Sequence, residues 1–344
     1  MKVACTSCGK DYEIPEERLP AGKKIKFPCP SCKETIEVDL SSKAEDGEHP
    51  DSKTSAVLDD NGDDSEKLKK RILKSVKELP PMPQVVQKAR KVMANPNSSF
   101  KDLAIIFVTD QAIATRVLKM ANSAYYGLSQ RVSSIQQASV ILGHKTLAEL
   151  ITVASTSDLM GKDLKGYGLE AGALWQHSLA VAFGSRLIAK KKCPDASDDA
   201  FAAGLIHDSG KLVLDQYIIE KKEVFEDFMA NDHESFLTAE KEILGFDHAE
   251  IASEVCKTWN VPDEVANGIR YHHCPSEAKG EELANILHVA DGIAMMSGLG
   301  TGVDALSYEI DEQAIKSLDL KSNEISKLMD QVVASVQNTI QEFQ

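Results

Sequence analysis

The sequence predicts an all-α helical body preceded by a small β-type zinc ribbon. Three observations predict it. Four cysteines fall in two C-x2-C pairs near the start of the chain. A stretch rich in acidic residues and poor in large apolar ones follows them. Beyond that stretch, apolar residues recur at helical spacing as far as the C-terminus, with no convincing period of two.

The first element is residues 1–40. Cys5 and Cys8 stand in ACTSCGK, and Cys29 and Cys32 in FPCPSCK, with twenty residues between the pairs. Four thiolates form one tetrahedral Zn²⁺ site, two from each tight C-x2-C turn. With no export signal ahead of them, close cysteine pairs point to metal before disulfides. KDYEIP and ETIEV alternate as strands do. A 40-residue unit buries little, so a structural metal worth roughly 10–16 kcal/mol is its natural staple. The stretch resembles a small zinc ribbon common at the N-terminus of bacterial proteins. Lys23, Lys24 and Lys26 give it a basic edge, whose ordinary reading is a solvated face.

Residues 41–66 come next. They carry two lysines against nine Asp and Glu, and so supply half of the net charge of −14. Such a segment cannot bury enough surface to offset its ordering entropy. It reads as a disordered acidic linker that lets the ribbon search a radius of roughly 25–30 Å. The acidic balance disfavours affinity of the whole chain for nucleic acid or anionic membrane. No run approaches ~18 apolar residues, which excludes a membrane span, and the expected location is cytoplasmic.

Residues 67–300 form the body, an N-terminal helical part at 67–165 and a core at 166–300, with C-terminal helices at 301–344 packed on it. Val85, Val86, Ala89, Val92 and Met93 recur at helical spacing. So do Ile113, Val117, Leu118 and Ala121. Residues 135–153, 171–190, 263–271 and 282–297 continue the pattern. The last helix, roughly 322–343, places Ile325, Leu328, Val332, Val336, Ile340 and Phe343 on one face. That face docks on the body or forms a homodimer, docking being the simpler reading.

The chemistry concentrates in this body. His177 lies in LWQHSLAVA, His207, Asp208 and Lys211 in GLIHDSGK, and His248 in GFDHAEIA. His272 and His273 lie in IRYHHCP, and Asp291 in ILHVADGIA. Imidazoles and carboxylates drawn from several helices suit Zn, Mn or Fe. Any one histidine alone is more readily a hydrogen-bonded core residue. His288 reads either as a support behind the ligands or as merely packed, packing being the simpler reading, Cys274 as a buried thiol, His144 and His233 as surface or capping residues, and Trp175 and Trp259 as core.

His177, His207-Asp208 and Asp291 resemble the H…HD…D signature of the HD metal-dependent phosphohydrolase superfamily. His248 and His272-His273 resemble the wider pattern of its cyclic-di-nucleotide phosphodiesterase branch, the HD-GYP type. Residues 79–140, from ELPPMPQVVQKARKVM through ANSAYYGLSQRVSSIQQASVILG, resemble the HDOD domain, an HD-related output domain of bacterial signalling proteins. That resemblance covers about residues 70–300 and implies an HD-domain-like helical bundle. Two departures from the phosphodiesterase branch stand out. CPSEAKG replaces its glycine-tyrosine-proline loop, and Ala173 stands where it has a Glu, with Glu170 two turns before His177.

The resemblance implies one or two Mn, Fe, Zn or Mg ions held by His177, His207, Asp208, His248, His272, His273 and Asp291. His207, His177 and Asp291 would hold the first ion and His248, His272 and His273 the second. Asp208 would bridge them and activate a water, with Lys211 steadying phosphoryl oxygens. Two readings of function follow. The first is a signalling output or scaffold that binds a partner protein or nucleotide. The alternative is a metal-dependent phosphohydrolase or phosphodiesterase acting on a (cyclic di-)nucleotide. A nucleic-acid regulator using the ribbon is disfavoured by the acidic body.

Overall fold

The structure, a computed structural model, describes residues 2–4, 10–13, 24–28, 35–39, 61–79, 111–123, 126–232, 235–278, 282–303 and 310–341. Cys5, Cys8, Cys29, Cys32, His49, Val85 to Met93, Tyr125 and His233 lie outside the described residues. The chain divides into two units, Met1–Asp59 and Asp60–Gln344.

The first unit holds two antiparallel hairpins. Strand β1 (Lys2–Ala4) pairs with β2 (Asp11–Glu13), setting Val3 opposite Tyr12. Strand β3 (Lys24–Pro28) pairs with β4 (Thr35–Asp39), setting Phe27 opposite Ile36. In sequence, each C-x2-C pair falls between the two strands of one hairpin.

The described part of the second unit is helical. Helix α1 (Asn61–Glu78) begins inside the stretch read as linker from the sequence. The acidic run enters the first turns of a helix, where the dipole favours negative charge. Leu68, Ile72 and Val76 then bury one face at i, i+4 and i+8. Helix α2 (Gln111–Ala121) buries Ile113, Val117, Met120 and Ala121.

Asn122 closes the loop that follows. Its amide donates to the Leu118 and Val132 carbonyls, both at 2.8 Å, and its Oδ1 accepts from the Val132 N–H at 2.7 Å. Helix α3 (Ile135–Met160) starts on a Ser134 cap and is broken at Gly143, whose φ of 81° leaves the helical region.

Helix α4 (Ala173–Lys192) is apolar nearly all round because it is central. Around it pack α5 (Ser197–Ile206), α11 (Glu282–Met296) and α13 (Ser322–Gln341). Leu328, Val332 and Val336 of α13 are buried, so the predicted stripe docks on its own chain. A Cβ on Gly204 would lie 2.7 Å from the Ala182 Cα, so α5 crosses α4 backbone to backbone. The buried Arg186 guanidinium meets Glu149 at 2.5 Å and covers the Phe201 ring at 3.7 Å, joining α4 to α3 and α5.

The remaining helices are α6 (Lys211–Glu220), α7 (Lys222–Asp232), α8 (Phe236–Leu244), α9 (His248–Thr258), α10 (Asp263–Arg270) and α12 (Glu312–Ser317). Among the described residues, no helix is long and apolar enough to cross a membrane.

Candidate metal centre

Helix ends converge on one point. His207 and Asp208 lie in the turn between α5 and α6, and Lys211 opens α6. His248 is the first residue of α9, placed there by a capping box of Asp247 and Glu250. His272 and His273 follow the end of α10. Only His177 and Asp291 project from helix interiors, those of α4 and α11. Residues 114 positions apart in sequence thus share one buried point.

Asp208 is at the centre. Its Oδ1 lies 3.5 Å from His207 Nε2, 3.3 Å from His248 Nε2 and 4.0 Å from His272 Nε2. Its Oδ2 lies 3.8 Å from His177 Nε2 and 2.7 Å from Lys211 Nζ. Asp291 Oδ1 lies 3.0 Å from His177 Nε2 and 3.9 Å from His207 Nε2. His248 Nε2 and His273 Nε2 share a hydrogen bond of 2.7 Å.

The ring orientations are fixed from behind. The Nδ1 atoms of His177, His207 and His272 face the carbonyls of Leu299, Gly204 and Ile269 at 3.2, 2.8 and 2.7 Å. A carbonyl only accepts, so each Nδ1 carries a proton and donates it. Each Nε2 then points inward and is buried, those of His207 and His272 without a hydrogen-bond partner and that of His177 against Asp291 Oδ1. Asp208 Oδ1 and Asp291 Oδ2 are likewise buried without a hydrogen-bond partner. Such orphaned acceptors are costly unless a cation faces them.

Electrostatics sort the histidines. Burial, with His207 beside it, pushes His272 down to about 3. Burial likewise lowers His207, and burial with His272 and His248 lowers His273 well below the imidazole range. Burial also disfavours charge on His177 and His248. Hydrogen-bonded Asp291 outweighs it and raises His177, and Glu240 outweighs it and holds His248 up at about 9. Burial opposes ionisation of Asp208, yet His207, Lys211 and His248 hold its carboxyl well below the usual range. Asp291 is lowered in the same way by His177.

Three groups of side chains could each hold an ion: His177, His207 and Asp208; His207, His272 and Asp291; and His248, His272 and His273. Within each group the ligand atoms lie within 4.8 Å of one another. All seven predicted site residues are therefore brought together. The third group is the second-ion set read from the sequence. The first-ion set also lies together, Asp291 Oδ1 standing 3.0 Å from His177 Nε2 and 3.9 Å from His207 Nε2, with Asp208 between the two sets. Imidazole nitrogens and carboxylate oxygens of this kind fit Zn, Mn or Fe. Lys211 rests on Asp208 and over the Tyr167 ring, 5.5 Å from its centroid.

Other positions divide. Glu170 is exposed, and Ala173 opens α4. Cys274 is half-buried and belongs to none of the three groups. His288 does more than pack. Its Nδ1 donates to the His272 carbonyl at 2.7 Å and its Nε2 accepts from the Asp311 N–H at 2.8 Å, anchoring the His272 turn. Sequence reading also missed Glu240. Its signal was a carboxylate set on the apolar face of α8 with Phe236, Ala239 and Leu244, all buried.

The HDOD domain model matches residues 79–275, and a zinc-ribbon domain model matches residues 1–37. An uncharacterized protein of Treponema pallidum (strain Nichols) is 25% identical over 208 residues, 60% of this chain and 40% of that protein. The chain thus spans two fifths of that relative's length. Two crystal structures share the fold. A provisionally named phosphohydrolase of Shewanella amazonensis SB2B has 23% identity and a TM-score of 0.62, covering 79% of this chain and 98% of its own. A provisionally named signal transduction protein of Marinobacter aquaeolei VT8 has 22% identity and a TM-score of 0.61, covering 83% and 66%.

Proposed function

The chain belongs to the HDOD domain family, and on that premise we propose that it is a signal-transduction output protein whose helical body holds one or two divalent ions in a closed site and binds a partner protein or nucleotide. One observation carries the metal half of this reading. The inward Nε2 atoms of His207 and His272, with Asp208 Oδ1 and Asp291 Oδ2, converge while buried and without hydrogen-bond partners, and His177 Nε2 meets only the Asp291 carboxylate beside them. His177, His207, Asp208, His248, His272, His273 and Asp291 would hold the ions. Burial of six of these seven side chains, His273 being half-buried, favours binding over turnover, because it leaves a substrate little donor surface to reach. Elemental analysis of the full chain and of Asp208→Asn tests the reading. Ions in excess of the ribbon's zinc, lost in the variant, are expected. No excess in the wild type overturns it.

One feature favours hydrolysis of a (cyclic di-)nucleotide phosphodiester as a second reading. Lys211 keeps a buried ammonium 2.7 Å from Asp208, a charge suited to a phosphoryl oxygen. A divalent ion there would supply Lewis acidity and an activated water. The chain's own residues would orient the donors and exclude bulk water. Turnover of a generic phosphodiester by the wild type and none by Asp208→Asn is the expected result; equal background in both removes this reading.

A further inference from the structure

The histidines of the centre are oriented by two kinds of partner. His177, His207 and His272 each lean on a neutral backbone carbonyl. His248 alone of these four leans on a carboxylate. Its Nδ1 lies 2.8 Å from Glu240 Oε2. Glu240 is fully buried and sits eight residues upstream, on α8 rather than α9.

We infer that Glu240 is the positioning residue that makes His248 a metal ligand, acting through the ring without touching the ion. Three contacts support this. Glu240 Oε2 accepts the Nδ1–H of His248 and, at 3.0 Å, its backbone N–H. That N–H belongs to the first turn of α9, where helix donors lack an internal partner. The capping box leaves it free for Glu240, because Asp247 accepts from the Glu250 N–H. One carboxylate oxygen thereby fixes both the ring and the backbone of the same residue. The other oxygen, Oε1, accepts from the hydroxyl of fully buried Tyr167. Tyr167 stacks edge-on to the His248 ring at 6.4 Å and against Phe236 of α8 at 5.5 Å.

The consequence is chemical. With its Nδ1 proton committed to Glu240, His248 can coordinate only through Nε2. That atom faces Asp208 Oδ1 and His273 Nε2. A carboxylate behind a ligand imidazole also raises its donor strength, and loss of such a partner typically costs about 10–100-fold in metal affinity. The assignment rests on the metal reading above and concerns the ion held by His248, His272 and His273.

The test uses full-length protein loaded with Co²⁺. The ribbon is first filled with one equivalent of Zn²⁺, which four thiolates hold more tightly than Co²⁺ and which is silent in the visible. The visible d–d bands of Co²⁺ added afterwards then report the imidazole and carboxylate site. In Glu240→Gln, which keeps size and burial, the visible component is expected to shift and its affinity to fall about 10–100-fold, with the ribbon's zinc content unchanged by elemental analysis. Tyr167→Phe leaves both Glu240–His248 bonds in place and is expected to weaken affinity much less. It also serves if Glu240→Gln fails to fold: a Tyr167→Phe loss as large as tenfold overturns the assignment. Wild-type uptake with an unaltered spectrum and affinity in Glu240→Gln overturns it and spares the metal reading. Absence of a visible component in the wild type overturns both.

Discussion

Gly210 and His248 approach so closely that a Cβ on residue 210 would lie 2.0 Å from the His248 carbonyl oxygen. The start of α6 is thereby laid against the start of α9, and Asp208 reaches His248. Gly210→Ala must push these ends apart, since the obstacle is backbone and cannot rotate away. A loss of about 3 kcal/mol is expected, or roughly 6–12 °C in thermal midpoint for a domain of this size. Bound metal beyond the ribbon's should fall with it. An unchanged midpoint would contradict the packing.

On the proposed reading, Lys211 and a divalent ion would compete for Asp208. Lys211→Met removes the ammonium 2.7 Å from Oδ2 and leaves a buried carboxylate without that partner. The metal-free variant should melt below the metal-free wild type. Its gain in midpoint on adding Mn²⁺ or Zn²⁺ should be larger than the wild type's, because the ion replaces the lost charge. Equal gains would show that Lys211 does not oppose binding.

His288 anchors the turn that carries His272 and His273. His288→Phe fills the space but removes two buried hydrogen bonds, at a cost of about 2–3 kcal/mol. Affinity for the ion should also fall, by about tenfold. Urea unfolding and competition with a chromogenic chelator measure the two effects. Lost stability with intact affinity would confine His288 to packing.

The Arg186–Glu149 pair lies away from the centre and gives a pH signature. Burial raises the Glu149 carboxyl above its usual value of 4.5, with Arg186 opposing the rise. A carboxyl raised on folding binds its proton more tightly in the folded state. Its contribution is therefore largest at low pH and declines as pH rises through the folded value. Arg186→Met enlarges the shift. The variant should lose about 3–5 kcal/mol at neutral pH and lose less near pH 5, with Glu149→Gln restoring part of the loss. Parallel pH profiles for wild type and Arg186→Met would refute this.

Much of the molecule was legible in the sequence because the signals were local. Helical stripes located α2 and α4, and the last stripe marked the face of α13 that docks, since an apolar face at period 3.6 has to be buried somewhere. The H, HD, H, HH and D positions, read through the family resemblance, named the seven side chains that the fold gathers. The linker boundary was less legible, since acidic residues that look disordered alone are favourable in the first turn of α1.

What the sequence by itself determined is the inventory: a helical body, a ribbon whose cysteines imply zinc, and a ligand set suited to a divalent ion. What only the tertiary structure decided is the wiring. Glu240 behind His248, His288 behind His272 and Lys211 against Asp208 are pairings of direction and distance. Glu240 comes from a helix other than that of its histidine, and a period along one helix carries no record of a partner on the next. The backbone contact at Gly210 was invisible for the same reason. A missing side chain acquires meaning only when another chain segment occupies its space.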